Sequence, residues 1–407
     1  MSKLLEQINK TKRKEVTLAD IAIRIGDGLH GTPQYDDNGE FYFINGNNLD
    51  NGHISIKKET RRIGESEYLK YKKDLGTETL LLSINGTIGN LAKYRGEKCI
   101  LGKSACYINV KKEFVLDYLY YVLLDQRFQK HIDSNANGST IKNVSLGQLR
   151  DYTFYIPDFD TQEKIASILN TYDSKIENNN RIIKNLELNA QTIFNEWFVN
   201  LKFPGYEKVK MVESEMGEIP EGWDVGKISG VGDVVCGKTP SKSQPEYFNG
   251  EFPFIKIPDM HGQMFILKTE DSLTQEGVDT QKNKLVPEDS ICVSCIATVG
   301  LVSITTKDSQ TNQQINTVIP KNKEFTEYLY FVLKNMKSDL QAIGSGGSTT
   351  LNVNTSVFSD LEVLIPDNGV MKVFHKKISP FFNQTKQLLK ENISLKESRD
   401  QLLAKLI

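Results

Sequence analysis

The spacing of hydrophobic positions changes at two matching places along the chain. From Ile165 onward, positions recur at alternating steps of four and three: Ile165, Leu169, Tyr172, Ile176, Asn179, Ile183, Leu186, Ala190, Ile193 and Trp197. Phe374, Ile378, Phe381, Thr385, Leu388, Asn392, Leu395, Arg399, Leu402 and Leu406 repeat that pattern, each 209 residues after its counterpart. A 3.5-residue period draws one narrow seam along a helix, and such a seam calls for a partner helix. The pattern predicts two long helices, over about 159–203 and 367–407, that pack on each other. At ~1.5 Å per residue each spans on the order of 50 Å. An internal pseudo-twofold would make the pair antiparallel. Asp160 and Glu163 form a D-x-x-E start for the first helix. Pro380 falls near the start of the second, where a helix tolerates it better. Asn179 and Asn392 are polar seam positions of the kind that fix register. The alternative is that each amphipathic helix covers its own globular region.

Ahead of each helix the period shortens. FYFI at 41–44 and LLLSI at 80–84 are short apolar runs bounded by Gly and Asn, as buried strands are. Their relatives follow in the second half. Ser83, Thr87 and Gly89 meet Ser294, Thr298 and Gly300 at a shift of 211. YLYYVLL at 118–124 meets YLYFVLK at 328–334 at a shift of 210. A helical segment is expected over Glu113 to Ile132, with its relative over Glu324 to Ile343. A Gly-Ser-Thr turn and a last strand, YTFYIPD or LEVLIPD, then lead into each long helix. One duplicated unit of about 210 residues accounts for all of this, and its period is far too long for a solenoid. The expected fold class is α+β: globular regions at 1–158 and 223–366, long helices at 159–203 and 367–407, and a linker at 204–222.

Gly232 to Thr239 fits G-x-x-x-x-G-K-[ST], a phosphate-cradling loop. Such a loop sits between a buried strand and a helix N-terminus. Here PSKSQPEYFNG follows, with two prolines and an Asn-Gly turn, and no helix runs through it. The matching loop GDGLHGTPQ at 26–34 has Gly31 where the lysine would stand. What repeats is a G-T-P loop, so NTP binding is not expected. Cys292 and Cys295 have the spacing of a redox or metal pair, but Leu81 and Ile84 take their places in the first copy. They read as small buried hydrophobes, and no metal is expected. No nucleophile elbow, H-E-x-x-H or strand-borne glycine cluster occurs, so the chain reads as non-catalytic.

Composition is that of an ordinary globular protein, with 39% apolar and 25% charged residues. No apolar stretch approaches the roughly 18 residues of a membrane span, and the N-terminus lacks a signal peptide's apolar core. Five cysteines in a long chain fit a reducing, cytoplasmic compartment. The net charge of −2 is unevenly spread. Residues 1–158 carry +3, 159–222 carry −4, 223–366 carry −5 and 367–407 carry +4. Lys57, Lys58, Arg61, Arg62, Lys70, Lys72 and Lys73 make the densest basic stretch. A solvated face is its plain explanation, and phosphate contact its functional one. Gln34, Tyr35, Asn47 and Asn48 could add bonds to base edges. The second copy offers Lys238, Thr239, Ser241, Lys242 and Gln244, with Asn312, Gln313 and Gln314 in another loop.

GEIPEGW at 217–223, the paired G-T-P loops, the paired GST…IP stretches and the helix heptads together resemble the specificity subunit of type I restriction–modification enzymes. The resemblance covers the whole chain. It implies two target recognition domains, each reading half of a split, asymmetric site in double-stranded DNA, with an antiparallel coiled coil as spacer. It implies two methyltransferase subunits as partners, and restriction subunits that translocate and cleave. S-adenosylmethionine, ATP and Mg would bind those partners and not this chain. No membrane partner is implied. The rival reading is a non-catalytic scaffold whose two duplicated domains bind proteins.

Overall fold

A computed structural model describes residues 6, 8, 10–137, 142–345 and 351–407. The turns at Gly138-Ser139-Thr140 and Gly347-Ser348-Thr349 lie outside these. The chain forms two compact units, Met1–Glu177 with Ile393–Ile407, and Asn178–Asn392.

In the first unit the main sheet is antiparallel, in the order Ala22–Asp27, Ala105–Val110, Thr79–Ser83 and Leu91–Lys93. Every residue of Thr79–Ser83 is buried. Leu80 and Leu82 face a core with Tyr118, Tyr121 and Leu169, whereas Leu81 faces one with Ala92, Leu101 and Tyr107. Burial on both faces is why this strand reads as a continuous apolar run and not as an alternation. Phe41–Ile44 lies antiparallel to Arg62–Ile63 and parallel to Cys99–Leu101. Lys14–Thr17 pairs with Thr153–Ile156.

The second unit repeats this topology. Gly232–Cys236, Ile315–Pro320, Ile291–Ser294 and Val302–Thr305 follow in the same order, and Phe265–Ile266 adds a parallel fifth strand. Phe248–Ile255 lies between an antiparallel Asp271–Leu273 and a parallel Gln310–Thr311. Asp224–Lys227 pairs with Glu362–Ile365. The duplication seen in short strings is thus a duplication of strand order.

The helical segment expected in each copy is broken in two. Leu116–Leu124 and Gln126–Asn135 are separated at Asp125, whose side chain caps the second piece by accepting from Arg127 N at 2.8 Å. In the second copy Thr326–Asn335 and Lys337–Gly344 meet at Met336.

The long helices run over Phe159–Phe194, followed by a π turn at Asn195–Val199, and over Asn368–Leu406, through Pro380. Capping falls two residues earlier than the D-x-x-E pattern places it. Asp158 Oδ1 accepts from Thr161 N at 2.8 Å, and in the second copy Asp367 Oδ1 accepts from Gly369 N at 2.7 Å. The repeated Ile-Pro-Asp therefore ends a strand with its Pro and starts a helix with its Asp.

Inside each unit the two helical stretches are antiparallel. In the first unit Arg399 Nη1 lies 2.5 Å from Asp173 Oδ1. Leu403 and Leu406 share a core with Ile165, Ala166, Leu169 and the sheet residue Leu82. In the second unit Asn179 meets Asn392, and Phe194 lies 6.4 Å from Phe374 between ring centres. Phe374 and Ile378 also pack with Phe331 and Val293 of the sheet region. The helices pair, as expected, and toward their ends they also cover strand-rich cores, though not as the alternative had it: Leu403 and Leu406 lie on the first repeat's core and Phe194 and Trp197 on the second's. That second duty shifts the buried stripe. Phe382 and Leu403 are buried while the seam positions Phe381 and Leu402 are only half-buried, as are Tyr172, Leu186, Ile193, Leu388 and Leu395.

Candidate nucleic-acid interface

Arg62 and Ile63 are successive residues of one short strand, so their side chains point to opposite faces. Ile63 is fully buried with Phe43 and Ile100, which sends Arg62 outward. Its guanidinium lies 5.1 Å from the Tyr42 ring centre, and Tyr42 is its cross-strand partner. Arg61 lies 5.5 Å from the ring of the exposed Tyr35. Phe41 and Tyr68 stack at 4.0 Å, with Lys98 5.8 Å from the first ring and Lys72 5.9 Å from the second. Lys70 lies 4.7 Å from Tyr71. Cations on aromatic faces are held in place. Lys98 and Lys70 also pair with Glu40 and Glu67, at 3.2 and 3.9 Å, while Arg61, Arg62 and Lys72 are exposed. Asp37, Lys58, Glu59, Thr60, Arg61 and Arg62 line an open groove of about 510 Å³ beside this ladder.

The loop carrying Lys57 and Lys58 is built, not loose. Asn48 is buried and donates from Nδ2 to Ser55 O at 3.0 Å and to Thr60 Oγ1 at 2.9 Å. Thr60 Oγ1 in turn accepts from Lys57 N at 2.9 Å. Asn48 Oδ1 accepts from Asn45 N at 3.0 Å. These bonds occupy the side chain, so Asn48 positions the basic loop and does not face a ligand. Asn47, next to it, is exposed, as are Gln34, Lys57, Lys58 and Lys72; Lys73 is half-buried.

In the second unit the G-K-T-P loop is no phosphate cradle. Gly232–Cys236 is a strand, and Pro245–Tyr247, a single 3-10 turn, is the first helical element after it. The strand register matches Gly237 with Gly28, so Leu29, and not Gly31 as the letters suggested, stands at the place of Lys238, and the glycine that repeats has a packing reason. A Cβ on Gly237 would stand 2.2 Å from Asn312 O, and one on Gly28 would stand 2.2 Å from Leu101 O. The neighbouring amides make matching bonds, Lys238 N to Thr311 O at 2.9 Å and Leu29 N to Leu101 O at 2.7 Å.

Two loops that are separate in sequence meet here, since Thr239 Oγ1 donates to Gln313 Oε1 at 2.8 Å. Lys238, Ser241, Lys242, Gln244 and Gln313 are exposed. Asn312 is buried and bonded to Gln314 through both ends of its amide, at 3.0 and 3.1 Å, so it shapes the turn. The sequence did not reveal the buried buttress beneath. Gln281 Nε2 donates to Lys238 O at 2.6 Å and to Gln310 Oε1 at 2.7 Å. Aromatics interleaved with Lys and Arg over 35–73 were a visible signal of the first-unit ladder; two distant glutamines gave none.

Cys292 and Cys295 are buried in and just beyond a central strand, and burial pushes their thiols up to about 12 and about 11. Among the described residues no group of three or more His, Cys, Asp or Glu is placed to hold a metal ion, and no helix is long and apolar enough to cross a membrane.

A family model described as the type I restriction modification DNA specificity domain matches residues 11–188 and again 220–396. The type I restriction enzyme HindI specificity subunit of Haemophilus influenzae is 35% identical over 350 residues, covering 72% of this chain and 76% of its own. The MjaIX specificity subunit of Methanocaldococcus jannaschii is 25% identical over 340 residues, covering 81% and 76%. The crystal structure of a type I restriction–modification S subunit from M. genitalium has the same fold, with a TM-score of 0.60 at 18% identity over 98% of this chain and 97% of that one.

Proposed function

The chain belongs to the type I restriction–modification DNA specificity family, and from that premise we propose that each of its two repeats reads one half of a bipartite, asymmetric DNA site. Its role in the family is specificity, not catalysis. The observation that carries the finer reading is one strand order bearing two different loop chemistries. The first repeat presents cations braced on aromatic rings, suited to phosphates and base stacking. The second presents Thr239 and Gln313 with Lys238 and Lys242, richer in groups that hydrogen-bond base edges. Different loops on one frame suit two different half-sites.

The paired helices, continuous over 36 and 39 residues, serve as the spacer and as the dock for two methyltransferase subunits. A length on the order of 50 Å exceeds one turn of B-DNA, about 34 Å, and is enough for a ruler between half-sites. S-adenosylmethionine, ATP and Mg act on the methyltransferase and restriction subunits. The net charge of −5 on residues 223–366 opposes non-specific DNA binding, so strong affinity draws on the partners' basic surfaces.

Mapping adenine methylation genome-wide, with and without this gene, tests the reading. A bipartite motif that disappears with the gene is the expected result. An unchanged map would leave a protein-binding scaffold as the better account.

A further inference from the structure

Outside the ladder, a second open cleft of about 450 Å³ lies at the edge strand of the first repeat's main sheet. Arg24 comes from that strand, Lys73 from the segment after the helix Glu65–Tyr71, and Arg150 from the end of the short helix Leu146–Arg150. No carboxylate pairs with any of the three among the described residues. Asp27, the one acid lining the cleft, is held by His30 at 2.5 Å. The cleft has a built floor. Tyr107 lies opposite Gly26 in the ladder, and a Cβ on Gly26 would stand 2.7 Å from the Tyr107 hydroxyl. The Arg24 guanidinium lies 6.0 Å from that ring, and Arg150 Nη2 donates to Ile25 O at 2.9 Å.

The second repeat provides an internal control. Asp233 holds the register position of Arg24, and Thr317 that of Tyr107. Ser359 stands 209 residues after Arg150. Lys284 stands 211 residues after Lys73, the shift of the adjoining strand, so the same sheet forms without Arg24 and Arg150, and folding does not require those two. Three cations face the single lining acid Asp27, so the cleft keeps a net positive charge that a bound anion offsets.

We propose that Arg24, Lys73 and Arg150 form a phosphate-binding cleft that grips the DNA backbone beside the first half-site. The inference rests on the reading of the first repeat as a DNA-reading domain. Lys73 continues the basic stretch that begins at Lys57, so one strand's phosphates supply the ligand. The contact positions the duplex and carries no base information.

The test uses the full-length chain with the methyltransferase subunits that co-purify with it. The Arg24 and Lys73 side chains make no internal hydrogen bond among the described residues, so Arg24→Ala with Lys73→Ala removes charge and leaves the Arg150 tie intact. The slope of log K against log salt should fall by about two, at ~0.9 per phosphate released. Discrimination between target and mismatched duplex should stay unchanged, and Arg24→Lys should restore most of the slope. An unchanged slope overturns the proposal. So does a loss of discrimination at one base pair, which would make the cleft a base reader. A third overturning result has an intact slope while inorganic phosphate, at constant ionic strength, raises the melting temperature of the wild type but not of the variant; the cleft would then serve a free anion. Replacing Lys57, Lys58, Arg61 and Arg62 in parallel separates the two readings. If that variant loses DNA affinity and the cleft variant does not, only the cleft assignment fails; if neither does, the first repeat is not a DNA reader.

Discussion

Asn179 and Asn392 bond across the paired helices, Nδ2 to Oδ1 at 2.9 Å, with both side chains buried. Asn392 Nδ2 reaches on to Asn180 Oδ1 at 2.8 Å. Shifted by the repeat of 209, these two positions become Leu388 and Ile183. The polar layer is therefore present once, not twice, and it breaks the pseudo-symmetry of the seam. Asn179 Oδ1 has no hydrogen-bond partner among the described residues. Asn179 Nδ2 also donates to Glu391 Oε2 at 2.8 Å, so Asn392→Leu alone removes one of its two acceptors and should cost about 1 kcal/mol in chemical denaturation. Replacing both by Leu should be neutral or stabilising, while weakening the preference for one register. Equal losses in the single and the double variant would show that the layer does not act as a pair.

The cation ladder separates charge from support. Changing Lys57, Lys58, Arg61 and Arg62 to Ala should lower the salt slope of DNA binding by about three to four. Tyr35→Leu keeps every charge and removes only the ring under Arg61. A loss of about 0.5–1 kcal/mol in DNA affinity is expected, with little change in slope. Asn48→Ala should weaken binding without contacting DNA, by loosening the Ser55–Thr60 loop, and a hydrogen-exchange measurement would detect that loosening.

The repeated glycines and the lone lysine of the phosphate-loop pattern should behave oppositely. Gly28→Ala and Gly237→Ala each drive a Cβ against a backbone carbonyl, and each should destabilise its unit by about 1–3 kcal/mol or more. Lys238→Ala should leave stability unchanged, and neither the wild type nor this variant should hydrolyse ATP as a purified chain. ATPase activity lost with Lys238 would restore the nucleotide reading.

Glu327 gives a pH signature. It is buried on the helix Thr326–Asn335, with His375 Nδ1 2.8 Å from Oε2. Asp289, Lys323 and Lys386 line the same pocket. Burial pushes its carboxyl above the ordinary 4.5, more than His375 pulls it down. A raised carboxyl contributes stability fully below its ordinary value and loses it as pH climbs through the raised one. Glu327→Gln escapes that loss. Its melting temperature relative to wild type should rise from about pH 4 to about pH 7. A gap that narrows over that range would mean that the His375 pairing outweighs burial.

Much of this architecture was legible because it repeats. Two copies of one pattern turned weak local signals into a shared strand order, and the 4-3 spacing located both helices to within a few residues at their starts. The breaks at Asp125 and Met336 left no trace, since neither segment contains Gly or Pro there and the helical period continues across them. Asn47 and Asn48 were indistinguishable as letters, yet one is exposed and the other is bonded into a loop. The cleft was illegible for a different reason. Residues 24, 73 and 150 have no common spacing, and only the fold brings them together.

The division of the long helices has a consequence for the order of synthesis. The first unit's core includes Leu403 and Leu406, which pack with Ile165 and Leu169, and Arg13 donates to the carbonyls of Leu406 and Ile407 at 2.6 and 2.5 Å. Those residues leave the ribosome after the whole of Asn178–Asn392. The repeat translated first is thus the one finished last, and the apolar face around Ile165 waits uncovered while the second repeat folds. A nascent chain stalled in that interval is a natural client for a chaperone, and the delay grows with whatever slows translation of the second half.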